Sequence, residues 1–141
     1  MKTIYLAHSP SEKERGKFVQ QLLEAAGYKV INPFDEAEKV GIHIKNTTPG
    51  TTDSDVVNMD MDNMHQSDAM VCLFPYTALT VGIPCEMTIA HLLEKIPVVS
   101  FTPDVLIDHP WIVRFSNKVF LVNTEEDLLI PTLQVLLGAS L

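Results

Sequence analysis

The sequence predicts a three-layer α/β domain: a five-stranded parallel sheet in the order 2-1-3-4-5 with helices on both faces. Three observations predict it. Short apolar runs alternate with helix-period runs along the chain, the pattern of strands joined by helical crossovers. Such crossovers are right-handed and cover both faces of the sheet. The 141 residues contain no repeat, low-complexity tract or linker and suit one domain, residues 1–141.

Thr3–Ala7 reads as a buried first strand. Ser9-Pro10-Ser11-Glu12 then signals a helix start, with Ser9 as N-cap, Pro10 as the first helical residue and Glu12 as capping-box partner. Phe18, Val19, Leu22, Leu23 and Ala26 recur at three and four, and Gly27 is placed as a left-handed C-cap. Lys29–Ile31 is a short second strand. Residues 32–52 hold Pro33, Gly41, Pro49 and Gly50 with no sustained period, which predicts a long loop with one helical turn; loops of that length are usually functional. Thr52-Asp53 opens a second helix to about Ser67, its face carrying Val56, Val57, Met61 and Met64. Ala69–Phe74 is the central strand and 75–83 a loop. Pro84 starts a third helix through about Glu94. Val98–Phe101 is the fourth strand, followed by a loop to Pro110 and a helical turn at Trp111–Phe115. Val119–Val122 is the fifth strand. Thr124-Glu125-Glu126-Asp127 caps a last helix with Leu128, Leu129, Leu133, Leu136 and Leu137, and Gly138 ends it.

Composition narrows the partners. An apolar fraction of 46% with 20% charged residues is the reverse of a disordered chain. The net charge is −8 and the ten Lys and Arg are scattered, which argues against nucleic-acid polymers and anionic membrane surfaces. A small molecule stays compatible, because backbone N–H groups bind phosphate even on an acidic protein. No apolar run approaches a membrane span, the N-terminus is too short in apolar residues for a signal peptide, and Cys72 and Cys85 form no pattern; a reducing, cytoplasmic setting is expected. No cofactor is expected either. His8, His43, His65, His91 and His109 lack metal-ligand spacing, and neither a dinucleotide fingerprint nor a phosphate-binding Walker loop is present. Ser9 and Ser11 lack a nucleophile-elbow context. A phosphoacceptor receiver would need acidic residues ending the first and third strands, where Ala7-His8-Ser9 and Phe74-Pro75 stand instead.

A sheet of this flavodoxin-like order binds ligands outside the carboxyl ends of its strands, near the switch between strands one and three. Tyr5 lies on the first strand, either as a core aromatic or with its hydroxyl holding a neighbour. Glu86 follows Gly82-Ile83-Pro84-Cys85 and is expected in the first turn of the third helix, at that edge. Val56, Asp60 and Met64 are spaced by four, so Asp60 falls on or beside the apolar stripe, where a carboxylate is partnered or functional. Asp62 points to another face, and Asp68 suits a turn contact. Two carboxylates over one crevice are what glycosidic-bond chemistry needs: one for the sugar carbon, one to protonate the leaving group.

These residues resemble the nucleoside 2-deoxyribosyltransferases and the related 2′-deoxynucleoside 5′-phosphate N-hydrolases. The resemblance spans roughly residues 3–101. It rests on Ile4-Tyr5-Leu6-Ala7, on Glu14-Arg15, on Asp60 followed eight residues later by Asp68-Ala69 and an apolar strand, and on Gly82-Ile83-Pro84-Cys85-Glu86 with Ala90 and Lys95-Ile96-Pro97-Val98-Val99. It implies Glu86 as nucleophile on C1′, Asp60 as proton donor to the departing base and Tyr5 as the residue orienting Glu86. It implies transfer of the sugar to a second nucleobase, with hydrolysis of a deoxynucleoside monophosphate or a non-catalytic nucleotide-sensing module as alternatives. A more distant enzyme relative would release nicotinamide from NAD. Many transferases carry an aspartate six residues before the glutamate; here Thr80 stands there, as a small hydroxyl residue often does in the hydrolases. Ser9, Ser11 and Arg15 are candidates for a 5′-phosphate, Asp62, Thr80 and Gly82 for other substrate contacts, with Asp62 the alternative proton donor to Asp60, and Asn32, Phe34 and Asp35 for the base. A homo-oligomer is expected, with Ser116-Asn117 of a neighbouring subunit completing the pocket.

Overall fold

The computed structural model describes residues 1–35, 53–76 and 80–138. Its sheet has five parallel strands, β1 (Thr3–His8), β2 (Lys29–Ile31), β3 (Ala69–Leu73), β4 (Val98–Thr102) and β5 (Lys118–Leu121), in the order β2-β1-β3-β4-β5. The connecting helices are α1 (Lys13–Ala25), α2 (Asp53–His65), α3 (Gly82–Ile89, continued by a π-turn at Ala90–Glu94), α4 (Pro110–Phe115) and α5 (Glu125–Leu136). The predicted architecture is the observed one.

Strand alternation sorts the core into two layers. Tyr5 and Ala7 of β1 face one side with Met70 and Cys72 of β3, under Met64 of α2 and Met87 of α3. Ile4 and Leu6 face the other, against Val19 and Leu23 of α1 and Leu129 and Leu133 of α5. β1, β3 and β4 are apolar because they are covered on both faces; each is buried almost throughout. Register places Tyr5 beside Ile31 on one side and Met70 on the other, at the centre of the sheet. Asp68 performs the turn contact expected of it, accepting the Thr3 N–H at 2.8 Å and fixing where β1 begins.

Local details differ where the chain has more than one use for a side chain. Pro10–Glu12 form a 3-10 turn, so α1 starts only at Lys13 and the Ser9/Glu12 capping box does not form. Ser9 Oγ pairs with Ser11 Oγ at 2.8 Å instead, and Glu12 accepts the Tyr76 N–H at 3.3 Å. Thr124 likewise donates to the Leu121 carbonyl at 2.6 Å rather than capping α5. Phe18, Val57 and Met61, expected on inner helix faces, are exposed. Gly27 and Gly138 do close their helices at positive φ, 94° and 68°. Most of the 32–52 loop lies outside the described residues.

Candidate active site

Glu86, Tyr5 and Asp60 come from three elements of one layer. Tyr5 points from β1 toward the α2/α3 side, and its hydroxyl donates to Glu86 Oε2. α3 begins at Gly82, two residues earlier than Pro84 signals, so Glu86 falls in the second turn and the first turn carries no acid. Its carboxylate therefore lacks the helix-end stabilisation expected from sequence. Burial pushes Glu86 up to about 8, opposed by the Tyr5 hydrogen bond and reinforced by the nearby Asp60 charge. Burial also pushes Asp60 up to about 6, against the pull of the Tyr5 hydroxyl. Tyr5 itself is raised, first by burial and then by Glu86 and Asp60, so it remains a phenol and a donor. The result is a phenol-braced pair of carboxyl groups that holds protons into the neutral range.

Gly82 keeps space beside this pair. A Cβ there would come within 3.3 Å of Glu86 Oε1, so the glycine leaves uncovered the oxygen that Tyr5 does not occupy. Three buried polar atoms of the described residues lack a hydrogen-bond partner: Asp60 Oδ1, Asn63 Nδ2 and Thr102 Oγ1. All three fall in the layer of Glu86, Thr102 by its alternation with Ser100 and Val98 on β4. Unsatisfied buried groups are rare in folded proteins and mark places where another partner belongs.

The remaining candidates are placed as follows. Asp62 is exposed on the outer face of α2, so of the two aspartates only Asp60 reaches Glu86. Thr80 is half-buried, just ahead of Gly82. Ser9 lies at the exit of β1, beside its bonded partner Ser11. Arg15 is committed elsewhere. It donates to the carbonyls of Phe74 at 2.8 Å and Phe101 at 3.4 Å, and to the buried Glu125 carboxylate at 3.0 Å, tying α1 and α5 to the ends of β3 and β4. Replacing Arg15 by alanine would strand the Glu125 charge. It is expected to cost about 3 kcal/mol of stability, read as a lower urea midpoint.

Phe34 and Asp35 are in the opposite layer from Tyr5. Phe34 stacks on His8, with ring centroids 4.6 Å apart. His8 faces α1, where Gly16 admits its ring; a Cβ on Gly16 would meet it at 2.6 Å. Phe34, Asp35, His8, Asn32, Lys13 and Lys17 line a separate cavity of about 270 Å³. Asn32 is spent locally, on His8, Gln20 and the Phe34 N–H. Within one chain Asn117 lies at the far edge of the sheet, where its Oδ1 accepts the Val98 N–H at 2.9 Å and its N–H donates to the Val98 carbonyl at 2.7 Å. Sequence reasoning passed over Asn63 and Thr102. The signal for Asn63 was available: it lies one turn after Asp60.

No family model and no curated protein matches the chain. Solved structures do share its fold. A 2-deoxyribosyltransferase from Bacillus psychrosaccharolyticus is similar at a TM-score of 0.70 and 19% identity, covering 93% of this chain and 95% of that one. A CMP N-glycosidase from Clostridium botulinum follows at 0.64 and 18%, covering 95% and 98%. The pseudo-receiver domain of the CikA protein is also similar, at 0.53 and 18%, covering 99% and 98%. One fold thus spans enzymes and a pseudo-receiver, and the chemistry has to be argued from the side chains. Among the described residues no helix is long and apolar enough to cross a membrane.

Proposed function

We propose that the protein cleaves the N-glycosidic bond of a 2′-deoxynucleoside through a covalent deoxyribosyl–Glu86 ester and transfers the sugar to another nucleobase. The observation that carries this reading is the hydrogen bond from Tyr5 to Glu86 with the Asp60 carboxyl beside it, its Oδ1 without a partner. The likeness in fold to a 2-deoxyribosyltransferase and a CMP N-glycosidase supports it.

The steps balance without a cofactor. Ionised Glu86 attacks C1′, the C1′–N bond breaks, and its electron pair leaves on the base, which takes a proton from Asp60. Tyr5 donates to one oxygen of Glu86 and leaves the other for the sugar carbon. In the second half, a new base attacks C1′ and the ester breaks. Glu86 is released and Asp60 regains a proton, giving retention of configuration. Arg15, the cation expected for a 5′-phosphate, is bonded to Glu125, which favours an uncharged nucleoside. The paired hydroxyls of Ser9 and Ser11 at that exit favour the second reading, hydrolysis of a deoxynucleoside monophosphate.

Incubation with deoxyinosine and free adenine or guanine separates the two. Appearance of deoxyadenosine or deoxyguanosine is the expected result. Base release only from the 5′-monophosphate, into water, would replace transfer by hydrolysis. Nucleoside binding with no release from either substrate would leave a sensing module.

A further inference from the structure

His8 closes β1 on the face opposite Tyr5, because alternate residues of a strand point to opposite sides. It is 6% exposed, and the proposed chemistry makes no use of it. Gly16 of α1 makes room for it. A glycine inside a helix is destabilising relative to alanine, yet a Cβ here would meet the imidazole at 2.6 Å. The helix gives up stability to keep a buried ring.

Both nitrogens of that ring face acceptors. Nδ1 lies 2.9 Å from the Ser9 carbonyl and Nε2 lies 3.2 Å from Asn32 Oδ1. The Asn32 amide cannot turn over, because the same Oδ1 accepts the Phe34 N–H at 3.1 Å and a backbone N–H only donates. A neutral imidazole donates once and leaves one acceptor unpaired, whereas the imidazolium satisfies both. Burial pushes His8 below its ordinary value, while the bonds to Ser9 and Asn32 and the charges of Asp35 and Glu12 pull it back. The charged groups facing it are Glu12 ahead of α1, Lys13 and Lys17 on α1, and Asp35 beyond β2. Hydrogen bonding thus favours a proton that burial resists, and one more negative charge nearby would decide between them.

The cavity of about 270 Å³ beside the ring is where such a charge fits. Lys13 and Lys17 reach it from adjacent turns of α1, a spacing that puts two side chains on one helix face. Among the described residues neither pairs with a carboxylate. Two carboxylates also line the cavity. Asp35 is exposed to solvent, and Glu24 stands seven residues beyond Lys17, about 10 Å along the helix axis. Positive charge therefore gathers at the His8 end. We infer that this cavity is a second ligand site, taking a small phosphate-bearing anion on Lys13 and Lys17 and a proton on His8 as it binds. Two ammonium groups and an imidazolium suit a doubly charged phosphate better than a carboxylate. The space exceeds what a phosphate fills, and Gln20, Gln21 and Glu24 lead on from the lysines with groups that pair sugar hydroxyls. This site lies across the sheet from Glu86 and is independent of the chemistry there.

Calorimetric titration with glucose 6-phosphate, inorganic phosphate and glucose tests it. Both phosphates are expected to bind and glucose is not. Lys13→Met/Lys17→Met, a change of two exposed side chains, is expected to weaken both by about 10-fold or more. Tighter binding of glucose 6-phosphate makes the ligand a phosphate ester, and tighter binding of inorganic phosphate makes it the free ion. Sulfate, a dianion throughout the neutral range, isolates the proton on His8. Its affinity is expected to fall by about 10-fold from about pH 6 to about pH 8, because the bound state holds a proton that the free state releases first. Its binding to the native protein at neutral pH should take up protons, read from titrations in two buffers of different ionisation enthalpy, and His8→Gln should abolish that uptake. Failure of both phosphates to bind, equal affinities in the lysine variant, or sulfate binding to the native protein without proton uptake would overturn the assignment.

Discussion

Glu86→Ala is expected to abolish base release, a loss on the order of 10⁴-fold or more, because the other carboxyl of the described site, Asp60, is the one that protonates the base. The fold survives, since Tyr5 remains packed in the core without its acceptor. Glu86→Gln is the sharper variant, because a glutamine amide oxygen still accepts from Tyr5. Its effect on stability has a definite sign. Glu86 is held at about 8, above its ordinary value of 4.5, so between those two pH values the folded state binds a proton that the unfolded chain has released. The native protein therefore loses stability as pH rises through that window, at up to roughly 1.4 kcal/mol per pH unit for this one group. Glu86→Gln removes the group, and its melting temperature is expected to exceed the native one at pH 8 by about 5 °C. A variant that gains stability and loses all turnover is the signature of a carboxylate kept for chemistry at the expense of the fold. Near-normal activity in Glu86→Ala would sink the central proposal, as would failure to trap a deoxyribosyl adduct on Glu86 by mass spectrometry.

Much of this was legible in the sequence, for identifiable reasons. Strands covered on both faces leave uninterrupted apolar runs, so β1, β3 and β4 read clearly, and the positive-φ glycines 27 and 138 marked two helix ends. Asp60 was legible because a carboxylate on an apolar stripe is anomalous wherever the stripe can be seen. The pairing of Tyr5 with Glu86 joins residues 81 apart in sequence, and no local pattern shows it. The start of α3 was misplaced because Pro84 suits any position in a first turn; the helix begins at Gly82 and carries Glu86 into its second turn. Arg15 looked available for phosphate because its partner Glu125 lies 110 residues away, in a helix start whose acidic run already had a sufficient local explanation. Phe34 reads as a base contact by its place in the chain, but β1 alternation puts His8, on which it stacks, in the layer opposite Tyr5.

Asp60→Asn is expected to lower the rate of base release by 10²–10⁴-fold and to change the shape of its pH profile. In the native protein the two carboxyls titrate as a coupled pair, with Asp60 raised to about 6 and Glu86 to about 8. Below that interval both are protonated and no nucleophile exists. Above it both are ionised and no proton is available for the base. Activity is therefore expected to be bell-shaped, with limbs near those two values and a maximum where the pair shares one proton. In the free protein the shared proton rests on Glu86, the group with the higher value, and the reactive arrangement, with the proton on Asp60, is reached as positive charge develops at C1′ and the Tyr5 hydrogen bond supports the Glu86 carboxylate. Asparagine cannot donate this proton, so the alkaline limb should vanish. It also leaves Glu86 as the one titrating carboxyl, still raised by burial but without the Asp60 charge, so the acid limb should move up from about 6 to a value below about 8. A substrate whose base already carries a positive charge and departs neutral, such as 7-methyl-2′-deoxyguanosine, needs no proton and should recover most of the lost rate. If Asp60→Asn impairs that substrate as severely as deoxyinosine, the carboxyl positions Glu86 rather than protonating the base, and the proton has to come from water.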